Sequence, residues 1–274
     1  MIVFLMRLRA RLRRVLTPGQ LRSLADVVAA VLWAVRSDNL IVLGVLFGTD
    51  KQGLPGKSGD HQYLQHYQRH FGPLHRRRLS LLEIGIGGYD DPAKGGDSLR
   101  MWKAYFRRGS IAGLDIADKS VHQESRIRTF QGSQADPDFL RRVVAEMGGV
   151  DIVIDDGSHL NAHVVTSFEA LFPLLAPNGV YVVEDTQTSY WSADEVPGGA
   201  WDGSGDLSAA HTSMSYFKAL ADGLNFEEFP AQGYEPNYVD RHVVAVHFYH
   251  NLVFIMKGTN DEGGSPLLGR SRAS

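Results

Sequence analysis

The chain has no cysteine among its 274 residues, which excludes disulfides and thiolate-held metals and leaves only oxygen and imidazole ligands for any ion it binds. The same absence suits a reducing, cytoplasmic setting. It also lacks a positive excess. With a net charge of −3 there is no global basic field of the kind that holds nucleic acid, and none is expected as a partner. No apolar stretch reaches the roughly 20 uncharged residues of a membrane-spanning helix, because Asp26, Arg36 and Asp38 interrupt the runs around Val27 to Val35 and Leu40 to Phe47. A secretory signal is not expected either. The charges at Arg7, Arg9, Arg11, Arg13 and Arg14 come late, and Thr17-Pro18-Gly19 breaks the run.

What is present is a 43% hydrophobic chain, enough for one large α/β domain with an appendage. Residues 1–47 read as a basic, amphipathic helical arm that packs on the domain or on a second subunit, with weak peripheral contact with an anionic membrane as the alternative. A homo-oligomer, dimer or higher, is the expected assembly. Residues 48–258 form the domain, and 259–274, rich in Gly, Ser and Asp, a disordered tail. A polar, glycine-rich loop precedes a helix carrying Tyr63, Tyr67 and Phe71 at spacings of four. From Leu79 the pattern becomes short apolar runs alternating with helices: LSLLEIG, SIAGLDI, RIRTFQG, VDIVIDD and GVYVVED. This alternation predicts a Rossmann-like, mostly parallel sheet with helices on both faces. Asp136-Pro137 predicts a capped helix start and Asn178-Gly179 a turn. A long Gly- and Trp-rich loop follows Ser189, of the kind that serves as a lid. The run VVAVHFYHNLVFIMKG closes the domain as a strand pair, with His247 and Tyr249 on one face and His250 on the other.

LLEIGIGGYDD is a strand, an acid and a glycine turn. Glycines at such a turn let the backbone approach a ligand at the carboxyl end of the sheet. Gly85-Ile86-Gly87 starts the dinucleotide fingerprint, but the third glycine is missing. Glu83, two residues ahead of Gly85, places a carboxylate where it can accept from an ammonium or from hydroxyls, which favours an amino-acid-bearing nucleoside over NAD. Asp115 ends the next strand, in the position of an acid that takes both ribose hydroxyls. Ser133 and Gln134, after the strand that follows, can reach an adenine edge. Together these features resemble the nucleoside-binding half of a class I S-adenosylmethionine-dependent methyltransferase.

Asp155 and Asp156 close one strand; Glu184 and Asp185 close the next. Two carboxylates 4 Å apart repel by about 4 kcal/mol at an effective dielectric near 20, so a cluster of them calls for a cation or a raised pKa. Mg2+ is the natural occupant for oxygen ligands. Asp155 can cap the following helix or bind the ion. His159, three residues beyond Asp156, can face the same pocket and take a proton from an alcohol. Tyr190, Trp191 and Trp201, in or beside the loop, either offer flat faces to a pyranose or anchor the loop.

DDGSH and VVEDTQTSYW, with GTDK, LLEIGIGGY and GSQADPDFL in order, resemble the metal-dependent sugar O-methyltransferases of macrolide biosynthesis over roughly Phe47 to Trp191. The resemblance implies Asp156, Glu184 and Asp185 as Mg2+ ligands and His159 as the base. It places Glu83 and Asp115 at S-adenosylmethionine; the glycine turn and the strand ends add Gly85, Gly87, Ser133 and Gln134 around that cofactor, and Asp155 is read as structural or close to it. The resemblance implies a saccharide or glycoside acceptor. Only a short basic arm stands ahead of the shared motifs, so a mannoside, rhamnoside or polymethylated-polysaccharide precursor is expected in preference to a macrolide deoxysugar. A catechol-type O-methyltransferase would use a similar cation. A Mg2+-dependent hydrolase would leave Glu83 and Asp115 unexplained.

Overall fold

The structure, a computed structural model, describes residues 2–34, 39–53, 61–89, 91–197, 199–229 and 233–265. Most of the expected glycine-rich loop (54–60) and of the expected tail (266–274) lies outside these residues. The described chain divides into two compact units.

The first unit carries helices α1 (Ile2–Leu12), α2 (Pro18–Ala34), α3 (Leu40–Phe47), α4 (Leu64–Phe71) and, after the first strand, α5 (Asp97–Tyr105). Pro18, with its fixed φ and missing N–H, opens α2 at the one place in a helix that tolerates it. Asn39 caps α3 by accepting from the Val42 N–H, and Gly48, at φ 80°, ends it. Arg9 of α1 completes that end: its Nε and Nη2 donate to the Leu46 and Phe47 carbonyls at 3.0 and 2.6 Å. The spacing of Tyr63, Tyr67 and Phe71 buries all three. The last two pack on Trp102 of α5 with ring centroids 5.1 and 5.8 Å away.

The second unit holds strand β1 (Ser80–Ile84) from Leu81 onward, α6 (Pro137–Met147), β4 (Val150–Asp155), α7 (Asn161–Leu171), β5 (Leu175–Glu184), α8 (Ser213–Leu224), α9 (Tyr238–His242), β6 (Val243–Tyr249) and β7 (Leu252–Lys257). Strands β2 (Ser110–Asp115) and β3 (Ile127–Gln131) lie mainly in the first. The strands form one seven-stranded mixed sheet in the order β3-β2-β1-β4-β5-β7-β6. β1, β4 and β5 pair in parallel, and β7 pairs antiparallel with both β5 and β6. The strand order reverses between β1 and β4, where ligands of open α/β sheets bind. Asp136 caps α6 through the Asp138 and Phe139 N–H groups, with Pro137 at its first position.

Two local expectations change. Asn178-Gly179 does not stand ahead of β5; Asn178, at φ 63°, is a bend within a strand that already starts at Leu175, where the β4–β5 register shifts. β6 ends at Tyr249, so His250 lies in the turn and not on an alternating face.

Candidate functional site

Strand register sets which acids converge. Ile84, Asp155 and Val183 stand level across β1, β4 and β5, so Gly85 and Asp156 leave the sheet at its carboxyl edge level with Glu184, the last paired residue of β5. Asp155 is the last residue of β4 and Asp156 lies just beyond it, and the two adjacent acids of DDGSH meet different fates. Asp155 is 1% exposed; its carboxylate accepts from Gln134 Nε2 at 3.1 Å and from the Tyr181 hydroxyl at 3.3 Å. Burial pushes its pKa up to about 6 against the opposing pull of His159 and these hydrogen bonds. It does not cap α7. That task falls to Asp202, whose carboxylate accepts from the Asn161 and Ala162 N–H groups at 2.8 and 3.0 Å.

Asp156, His159 and Asp185 come together instead. One ligand atom from each lies within 4.8 Å of the others, and all three residues are half-buried. His159 Nε2 stands 3.7 Å from Asp185 Oδ2. His159 and Asp185 both sit in the left-handed region, at φ 57° and 53°, a conformation that costs non-glycine residues energy and gathers at functional sites. The Thr188 hydroxyl holds both turns, reaching the His159 carbonyl at 2.8 Å and the Asp185 carbonyl at 3.2 Å. Glu184 is not part of the cluster as it stands. It is the last paired residue of β5, opposite Leu252, with its side chain buried, whereas Asp185 steps off the strand.

The residues expected around a nucleoside divide in the same way. Glu83 is fully buried, in register with Ile154 of β4. Gly85, at φ 87°, lies so close to the next strand that a Cβ would fall on the Asp156 carbonyl oxygen. Asp115 ends β2 half-buried, its carbonyl accepting from the Gly132 N–H at 2.9 Å. Ser133 turns its hydroxyl to the Ala135 N–H. The Gln134 side chain departs from the expected adenine contact. Its Nε2 serves Asp155 and Ser167, and its Oε1 accepts from the Ser158 N–H at 2.6 Å, bracing the DDGSH turn from inside. In the first unit, Gly87 belongs to a loop held by the buried Lys119 ammonium, which donates to the Tyr89 and Asp91 carbonyls at 2.8 Å each.

Thr188, Asp202, Gln134 as a brace and Lys119 escape sequence reading because each acts on backbone groups distant in the chain, and a lone Thr, Asp or Lys in a loop carries no periodic signal. The Trp-rich loop is anchored: Trp191 and Trp201 meet edge to face at 5.3 Å, while Tyr190 is exposed. Asn161 adds a further tie, its Oδ1 accepting from the Ser189 hydroxyl and the Ser213 N–H.

No family model matches the chain. It is 48% identical over 232 residues, 81% of its length and 59% of the relative's, to the 8-demethyl-8-alpha-L-rhamnosyl tetracenomycin-C 2'-O-methyltransferase of Streptomyces olivaceus. It is 50% identical over 208 residues, 75% of its length and 50% of the relative's, to the mycinamicin VI 2''-O-methyltransferase of Micromonospora griseorubida. Among solved structures, the MycE methyltransferase of the mycinamycin pathway, in complex with Mg, SAH and mycinamycin VI, superposes with a TM-score of 0.76 at 47% identity over 83% of this chain and 55% of that one. The chain spans about half the length of the curated relatives it matches. By sequence and by fold, the chain is similar, over the length it shares with them, to the class I sugar O-methyltransferases.

Proposed function

We propose that the chain transfers the methyl group of S-adenosylmethionine to a sugar hydroxyl of a saccharide or glycoside, with Mg2+ at the Asp156–Asp185 edge. The observation that carries this reading is the convergence of Asp156, His159 and Asp185 at the carboxyl end of the parallel strands. The donor set fits a hard cation: two half-buried carboxylates and no thiolate. Asp156 and Asp185 would hold the ion, with Glu184 the third carboxylate in reach by sequence. Bound there, Mg2+ supplies Lewis acidity that lowers the pKa of an acceptor hydroxyl.

The remaining chemistry belongs to the chain. His159 takes the acceptor's proton, and Asp185, 3.7 Å from Nε2, is placed to stabilise the imidazolium that results. Thr188 fixes the backbone of both residues, so that their separation is set before substrate arrives. Glu83 and Asp115 are the carboxylates proposed for the methyl donor, the first for its ammonium or a hydroxyl and the second for its ribose.

The relatives' names describe glycosides such as a rhamnosyl tetracenomycin, so deoxysugars borne on an aglycone stand beside mannosides and rhamnosides as acceptors. Mass spectrometry of a glycoside panel incubated with S-adenosylmethionine tests the reading. A methyl-sized gain on at least one glycoside and none on catechols is expected; the reverse pattern would transfer the assignment to a catechol-type enzyme. A second reading has His159 as a ligand, since it lies inside the donor cluster and Glu184 does not. The Mg2+-dependent rise in melting temperature decides. It persists in His159→Ala if the residue is the base and disappears if it is a ligand.

A further inference from the structure

Helix α1 is docked by its inward face. Arg9 is committed to the carbonyls that end α3, and Gly48, lacking a side chain, makes room for its guanidinium. The opposite face is open. Phe4, Leu8 and Arg11 follow one another at i, i+4 and i+7, so they share a stripe, and Phe4 is 68% exposed. Val15, just past the helix, is 76% exposed, and Val27 and Val31 are exposed on α2. Arg7, Arg11 and Arg14 are exposed beside these residues.

An apolar stripe flanked by arginines is the composition of a helix lying in a lipid interface, its side chains reaching the acyl boundary and its cations meeting anionic headgroups. The charge distribution singles out that partner. Every ionisable side chain ahead of Asp26 is an arginine, six in all, in a chain whose net charge is −3. The remainder is therefore acidic, and the resulting dipole turns the arm toward a negative surface and the rest of the molecule away from it. A second copy is a poor occupant. A two-fold interface through this face would set the same arginines against one another.

We propose that the exposed face of α1 is a peripheral docking surface for an anionic lipid bilayer, independent of the methyl-transfer reading. No described helix is long and apolar enough to cross a membrane, so the contact is a superficial one. Co-sedimentation of the full chain with phosphatidylcholine vesicles, with and without phosphatidylserine, tests it. Binding is expected only to the anionic vesicles and is expected to be lost in high salt. The exposed triple variant Arg7→Glu/Arg11→Glu/Arg14→Glu should lower partitioning by at least about tenfold with an unchanged melting temperature. Phe4→Ser/Leu8→Ser should weaken it too. Equal binding to neutral and anionic vesicles, or none to either, would overturn the proposal. So would a dimer in sedimentation equilibrium that Phe4→Ser/Leu8→Ser dissociates, which would assign the face to a second copy.

Discussion

Asp155 and Asp156 are chemically identical neighbours, and the end of β4 between them gives them different work. Asp156 faces the edge with His159 and Asp185; Asp155 faces a closed polar network with Gln134 and Tyr181. Substitutions should separate them. Asp156→Asn should abolish the Mg2+ dependence of the melting temperature while leaving the apo melting temperature within about 2 °C of the native value, because surface-edge substitutions cost little. Gln134→Leu should do the opposite. It strips partners from Asp155, Ser167 and the Ser158 N–H, and leaving buried polar groups unpaired costs about 1–3 kcal/mol each. A loss of roughly 3 kcal/mol in urea unfolding is expected. His159→Ala should reduce the methyl-transfer rate by about 10²- to 10⁴-fold, the usual worth of a general base, in a chain that still unfolds like the native one. That Asp156, His159 and Asp185 come together was legible from their place at strand ends. The role of Gln134 was not, since the amide that looked free to meet an adenine is spent on a carboxylate 21 positions away in the chain.

The loop between Tyr190 and α8 is held to α7 by the Asp202 carboxylate and closed on itself by the Trp191–Trp201 pair. Burial alone would raise the Asp202 pKa, but the N–H groups of Ala162 and Asn161 outweigh it and the pKa is lowered. A carboxylate with a lowered folded pKa contributes stability that is present above its unfolded value, near 3.9, and is lost as the pH falls through the lower folded one. The loop should therefore stay anchored from neutral pH down to about 4 and loosen below it. Tryptophan fluorescence should report this in the native chain, and Asp202→Asn should show a loosened loop already at neutral pH. Strand and helix periods made the alternating elements readable from Leu79 onward, and Asp136-Pro137 marked the start of α6 correctly. The bend at Asn178 was misplaced because an Asn-Gly pair favours a turn locally, while pairing with β4 on one side and β7 on the other draws the segment into β5. Gly85 was legible as a turn glycine; that its missing Cβ is what admits the Asp156 carbonyl required the register of β1 on β4. Gly85→Ala should accordingly displace Asp156 and lower transfer more than it lowers stability.

At the scale of the molecule, the absence of cysteine and the clustering of carboxylates at one sheet edge favour an oxygen-held cation, and similarity at about half identity to sugar O-methyltransferases supports the proposed methyl transfer. Four of the five separated motifs made this much visible, because they sit at the ends of β1, β3, β4 and β5 and the sheet order brings β1, β4 and β5 side by side; the fifth, GTDK, follows α3. The acceptor remained hidden, since a sugar is recognised by loop side chains whose positions no periodicity fixes. The proposed transfer rests on a cation held beside His159. Its most direct test is the rate of methyl transfer to a glycoside that the native chain accepts, followed as EDTA is titrated in and Mg2+ is then restored. Loss of transfer in EDTA and its full return with excess Mg2+ is the predicted result; transfer that proceeds undiminished in EDTA would contradict it.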